Sequence, residues 1–159
     1  MEKLFERYVE ASLRQALPGD IRFISQSTSK YLCTHEEQGF FQLRPDILLS
    51  RQTRSWVLDT KWKLLDTLDL VNHYGLSQSD FYQLFAYGQK YLAGKGDVIL
   101  IFPKTIRFYE PLPPFYFSEA LRLWVLPFDL EKKQLIEPIL KLLPYSDCDR
   151  THHSSLNVA

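Results

Sequence analysis

The run Asp97-Val98-Ile99-Leu100-Ile101-Phe102, closed by Pro103, constrains this chain most. It has the length of a strand and no polar alternation, which suits a central strand buried on both faces, and proline then ends it because it has no N–H for a ladder. A strand of that kind needs cover above and below. The rest of the chain supplies it: Leu4, Phe5, Tyr8, Val9, Leu13 and Leu17 recur with helical spacing over residues 3 to 17 until Pro18-Gly19 stops them. A second helix is expected from the caps Ser77 and Ser79 to about Leu92, with Gly94 at its end.

Between these helices, residues 21 to 32 read as a strand or part of a hairpin, followed by a polar turn at His35 to Gly39. The segment from Phe40 to Leu49 and the segment Trp56 to Trp62 read as an antiparallel pair joined by the polar stretch Ser50 to Ser55. Residues 63 to 78 lack a period and read as a mobile loop with one helical turn. Residues 109 to 117 read as a connection, Leu121 to Phe128 as a strand, and Leu130 to Leu143 as a helix bent or shortened by Pro138. The order of elements is that of an α/β fold with a mixed sheet.

At 159 residues the chain is expected to be one compact domain over residues 1 to 145, with residues 146 to 159 as a flexible tail, since apolar periodicity is lacking from Asp147 onward. Nineteen basic side chains balance nineteen acidic ones, so nucleic acid would be held by a local patch or with a helper rather than by bulk charge. Cys33 and Cys148 stand alone, which implies neither a disulfide framework nor a structural zinc site and fits a reducing cytoplasm. The sequence has no apolar run near the roughly 20 residues that span a bilayer, and its start lacks the apolar core of a signal peptide, so a membrane role is not expected.

The residues that can carry chemistry cluster. In the strand at 56 to 62, Val57, Asp59 and Lys61 share one face while Trp56, Leu58, Thr60 and Trp62 share the other. Glu6 projects from the side of the first helix that carries Val9 and Leu13, where a carboxylate requires a partner. In the second helix Asp80, Gln83, Leu84 and Tyr87 share a side, with Gln83 and Tyr87 one turn apart. Pro45-Asp46, twelve intervening residues, then Asp59-Thr60-Lys61 resembles the PD-(D/E)XK nuclease signature. Pro-Asp and Asp-x-Lys are common strings, equally explained by Asp46 ending a strand and Lys61 solvated on an edge. As a site they make chemical sense: two carboxylates and the Thr60 carbonyl would hold Mg²⁺, for which Mn²⁺ can substitute, and Lys61 would orient or deprotonate the attacking water.

Four motifs in order, Leu4-Phe5-Glu6 with Tyr8-Val9, Arg44-Pro45-Asp46-Ile47, Val57 to Trp62, and Asp80 to Tyr87, resemble the nuclease domain of McrC proteins in the RecB-like branch of the PD-(D/E)XK superfamily. The resemblance covers about residues 1 to 130. It implies the restriction-endonuclease-like fold, a mixed central sheet flanked by helices, and a DNA endonuclease cutting for McrBC systems. In those systems an AAA+ GTPase subunit, McrB, recognises modified cytosine and translocates, and McrC stimulates the GTPase and cuts. By position, Asp46 and Asp59 match metal ligands, Lys61 the catalytic lysine, Glu6 a helix acid that holds the metal directly or through water, and Gln83 and Tyr87 a motif that positions DNA or the lysine. The N-terminal region that engages the GTPase in that family is not in this sequence, which implies an excised domain or a shortened homologue.

Two other readings stand beside this one: a stand-alone RecB-like repair or defence nuclease, which the neutral charge disfavours, and a non-catalytic nuclease-fold scaffold docking an AAA+ partner, which intact Asp46, Asp59 and Lys61 disfavour. His73 is expected to be a solvent-exposed loop histidine, and His35, His152 and His153 lack partners at metal-ligand spacing. Trp56 and Trp62 are expected to pack under helices. Arg44, Arg51, Arg54 and Lys63 surround the hairpin and could meet phosphates or simply solvate its tip.

Overall fold

The computed structural model describes residues 1 to 135. Helix α1 (Glu2–Ala16) precedes strands β1 (Arg22–Ser25), β2 (Lys30–His35), β3 (Gln38–Leu43), β4 (Ile47–Arg51) and β5 (Arg54–Thr60). Helix α2 (Gln78–Leu92), β6 (Gly96–Pro103), β7 (Phe115–Tyr116), β8 (Leu121–Asp129) and β9 (Gln134–Leu135) follow. The main sheet runs β1-β4-β5-β6-β8-β7, with β9 added on β8. Its β5–β6 and β6–β8 pairs are parallel and its other pairs antiparallel, so the sheet is mixed.

The apolar run does what its pattern requires. Ile99 and Ile101 turn to one face, where they pack with Phe5, Val9 and Leu13 of α1 and with Ile47, Leu49, Trp56 and Leu58. Val98, Leu100 and Phe102 turn to the other, against Leu84, Tyr87 and Leu92 of α2 with Val57, Leu123 and Val125. Each such side chain contributes roughly 1.5–3 kcal/mol when fully buried, so β6 couples the two layers more tightly than any edge strand could.

Three segments depart from expectation. The stretch 40 to 49 is not one strand: β3 pairs only with β2, as a separate two-stranded ribbon, and β4 begins anew at Ile47. The cause lies in Arg44-Pro45, since proline cannot continue a ladder and biases its predecessor's backbone. The turn of the ribbon narrows to Glu36-Glu37, both left-handed at φ 46° and 65°. Second, the helix expected from Leu130 does not start there. Asp129 Oδ1 accepts the N–H groups of Glu131 and Lys132, Lys133 adopts φ 56°, and β9 folds back onto β8 with Leu135 buried. The remainder of that segment and the tail at 146 to 159 lie outside the described residues. Third, the connection at 109 to 117 contains the short strand β7. The expected single turn in the 63 to 78 loop is a 3₁₀ turn at His73–Gly75.

Candidate active site

The site forms where β4 begins and β5 ends. Because β4 and β5 are antiparallel with Ile47 opposite Leu58, the residue before Ile47 and the residue after Leu58 face one another, and these are Asp46 and Asp59. Asp46 is fixed by its neighbour across the pair: Oδ2 accepts both the backbone N–H and the hydroxyl of Thr60, each at 2.7 Å. The Asp46 carbonyl in turn accepts the N–H of Gln26 at 2.8 Å. Asp59 shares the α2 face with Val57 and is 2% exposed. The chain leaves the sheet at Lys61, whose N–H still donates to the Ile101 carbonyl at 2.9 Å. Lys61 Nζ lies 2.6 Å from Asp59 Oδ2.

Electrostatically the site holds more negative charge than it can neutralise. Burial, followed by the charge of Asp59, pushes the Asp46 carboxyl up to about 7, against the hydrogen bonds from Thr60 that favour its ionised form. Burial raises Asp59 too, and the Lys61 ammonium only partly reverses it. Lys61 itself is pulled down by burial, but Asp59 more than offsets this and holds it above the ordinary lysine value. Lys61 is therefore a stable ammonium.

The other predicted residues arrive by different routes. Glu6, 9% exposed on α1, accepts a hydrogen bond from Gln26 Nε2 and adds repulsion to both Asp46 and Asp59, so it stands at the rim of the pair. Gln83 Nε2 donates to the Tyr87 hydroxyl at 2.9 Å. Tyr87 is buried in the α2-side core, yet its hydroxyl is raised by burial and then by Asp59 and Asp46, which puts the Gln83–Tyr87 pair beside the carboxylates.

Asp80 and Gln26 belong to this set as well. Asp80, half-buried in the first turn of α2, raises both Asp59 and Lys61 electrostatically. Its position on the Gln83–Tyr87 side of the helix was a usable signal. Gln26 gave none: it is an ordinary polar residue after β1, placed by a left-handed φ of 45°.

Two expectations need revision. Trp62 faces the α1 side as its parity requires, 5.4 Å from the Phe5 ring, but β5 has ended and the indole is 40% exposed, whereas Trp56 is 1% exposed. The basic cluster also divides. Arg51 pairs with Asp20 and Arg54 lies over Trp56, at the opposite end of β5 from Asp59, about 17 Å away at 3.3 Å per residue. Only Arg44 and Lys63 flank the carboxylate end. His73 is exposed in the 3₁₀ turn, and the exposed His35 packs edge-on against Phe40.

The donor set suits a hard cation. Asp59 Oδ2 is buried, and no aligned hydrogen bond reaches it even though the Lys61 ammonium is close. Among the described residues, no three His, Cys, Asp or Glu side chains converge closely enough to hold an ion by themselves. A cation here would therefore rest on Asp46, Asp59, the Thr60 carbonyl, and water or phosphate, the incomplete protein cage that Mg²⁺ commonly uses.

Set against known proteins, residues 1–103 match the sequence model of a family described as McrBC 5-methylcytosine restriction system component. That span contains all four motifs, so the resemblance to McrC proteins of McrBC systems is borne out. No curated protein is detectably similar. A solved structure, described as the refined half-complex from a tetradecameric assembly of Thermococcus gammatolerans McrB AAA+ hexamers with bound McrC, superposes with a TM-score of 0.62 at 20% identity. The match covers 89% of this chain and 31% of that one, and at such identity it speaks for the fold: a restriction-endonuclease-like mixed sheet between helices. Among the described residues no helix is long and apolar enough to cross a membrane.

Proposed function

This chain belongs to the McrBC family, a restriction-system component, and from that premise we propose that it is a McrC-type nuclease domain, the metal-dependent DNA-cutting module of a modification-dependent restriction complex. The observation that carries this reading is the meeting of Asp46, Asp59 and Lys61 at the carboxyl end of β5, with the Asp59 carboxylate buried and under-compensated.

Mg²⁺, when bound, supplies Lewis-acid stabilisation of the charge that builds on the phosphoryl oxygens and lowers the pKa of a coordinated water. Asp46, whose Oδ2 already accepts from Thr60, and Asp59 would hold it together with the Thr60 carbonyl. Lys61, beside Asp59, would orient or deprotonate the attacking water and stabilise the charge that develops on a phosphoryl oxygen. In the hydrolysis, the water oxygen would bond to phosphorus as the bond to the leaving deoxyribose oxygen breaks, the water giving up a proton and solvent supplying the one that the leaving oxygen takes. Gln83 and Tyr87 fix the wall of the site on the α2 side, and Glu6 with Gln26 the wall on the α1 side.

The equal counts of basic and acidic side chains give this chain no bulk attraction for DNA, so an AAA+ GTPase of the McrB type would deliver the substrate. The test is cleavage of DNA carrying modified cytosine by the assembled complex. Lys61→Ala should lower the rate by about 10²- to 10³-fold, the loss expected when one charge-stabilising donor is removed, in a protein that melts lower than wild type because Asp59 loses its counter-charge but is still folded, with a cooperative melt, at the assay temperature. Near wild-type cutting by that variant would show that the Asp-x-Lys string is structural.

A further inference from the structure

We propose that Asp80 is a positioning residue that takes over Lys61 when a divalent cation engages Asp59, so that Lys61 and the cation compete for the Asp59 carboxylate. The inference deepens the nuclease reading above and rests on it.

The competition follows from geometry. Lys61 Nζ sits 2.6 Å from Asp59 Oδ2, and this is the oxygen that no aligned hydrogen bond otherwise reaches. A dication on the same carboxylate would lie within a few ångströms of the ammonium, and two like charges that close in a half-buried site repel strongly. One of them has to leave. Lys61 can, because its side chain is 22% exposed and the main chain has just left the sheet.

Its destination must be another carboxylate, since an ammonium in a half-buried cleft without a counter-charge is costly. Asp46 is pinned by Thr60 and would ligate the same ion, and Glu6 is engaged by Gln26 on the α1 side. Asp80 remains. It stands in the first turn of α2, one and two turns before Leu84 and Tyr87, both of which are buried against the sheet, so it overlooks the end of β5 from the same side as Asp59 and Lys61. Its charge already acts on both groups. Moved to Asp80, the Lys61 ammonium stays beside the site but clear of the ion, where it can meet phosphate. In the metal-free protein the ion pair with Asp59 therefore keeps the nucleophile-orienting group and the metal ligand mutually blocked.

The experiment is a calorimetric titration of Mn²⁺ into the whole chain without DNA, at pH 8, with melting curves for every protein. Lys61→Met should bind Mn²⁺ about tenfold more tightly than wild type because the competitor is gone, and Asp80→Asn about tenfold more weakly because Lys61 has lost its alternative site. In the Lys61→Met background, Asp80→Asn should matter by no more than about twofold, since there is no ammonium left to receive. Asp80→Glu, which keeps the charge, should restore wild-type affinity; if Asp80→Asn melts below the titration temperature, Asp80→Ser takes its place. An equal Asp80→Asn loss in both backgrounds would show that Asp80 acts on the ion directly and would overturn the exchange alone, as would a Lys61→Met protein that binds no more tightly. Absence of Mn²⁺ binding by both the wild type and Lys61→Met would defeat the metal-site reading and the exchange together.

Discussion

Replacing Asp46 with asparagine should stabilise the metal-free protein above neutral pH while abolishing its use of metal. Asp46 has a folded-state carboxyl pushed up to about 7 from 3.8, by burial first and by Asp59 second. A raised carboxyl binds its proton more tightly in the folded state than in the unfolded chain. Stability therefore has its full value below about pH 4, falls as pH rises through the interval up to about 7, and stays low above it. At 1.36 kcal/mol per pKa unit, the wild type gives up about 4 kcal/mol across that interval as an upper bound. Asparagine never ionises. It still offers Thr60 an acceptor oxygen, but a neutral one, and the weaker hydrogen bonds subtract about 1–2 kcal/mol. The net gain at pH 8 is about 2 kcal/mol, or about 4–8 °C in Tm for a domain of this size, and at pH 5, where wild-type Asp46 is largely protonated, the gain should vanish or reverse. Thermal melting of both proteins at the two pH values, without divalent ions, measures this. Adding Mg²⁺ at pH 8 should then raise the Tm of the wild type, by mass action on a folded-state site, and leave the variant unchanged. A variant that melts below wild type by the same margin at both pH values would refute the reasoning, because Asp46 would then be a stabilising hydrogen-bond acceptor and not a strained ligand.

The two tryptophans of the β5 segment should separate cleanly. Trp56→Ala should cost about 3–5 kcal/mol, because Trp56 is fully buried on the α1 face of the sheet, whereas Trp62→Ala should cost less, about 1–2 kcal/mol, because its indole is 40% exposed; urea unfolding of both variants compares them directly. This chain alone should bind unmodified duplex DNA no more tightly than the non-specific range of about 10⁻⁴ to 10⁻⁶ M at physiological salt, and nanomolar binding in a fluorescence anisotropy titration would favour a stand-alone nuclease that needs no delivering partner.

What the sequence disclosed was local periodicity and its consequences. The unbroken apolar run at 98 to 102 announced a strand covered on both faces, and period 2 placed Asp59 and Lys61 together, as their 2.6 Å ion pair bears out. What it withheld depended on partners far along the chain. Parity showed that Trp62 faces α1 but not that the strand had already ended at Thr60, which left the ring exposed. The apolar residues from Phe40 to Leu49 read as one strand because hydrophobicity does not say which strand they pair with; the break at Pro45 sends β3 to the ribbon and β4 to the sheet. Leu130 onward has helical spacing, but Asp129 captures the first N–H groups and turns the chain back. Gln26, 20 residues from the Glu6 it bonds, shows the same limit within the site.

The central claim is that Asp46 and Asp59 hold a divalent metal for phosphodiester hydrolysis. Crystals soaked in Mn²⁺ test it most directly, by anomalous scattering. A peak is expected between the Asp46 and Asp59 carboxylates, within about 2.0–2.3 Å of an oxygen from each, that is lost in Asp59→Asn crystals soaked alongside. No peak there at saturating Mn²⁺, or a peak that persists unchanged in the variant, would contradict it.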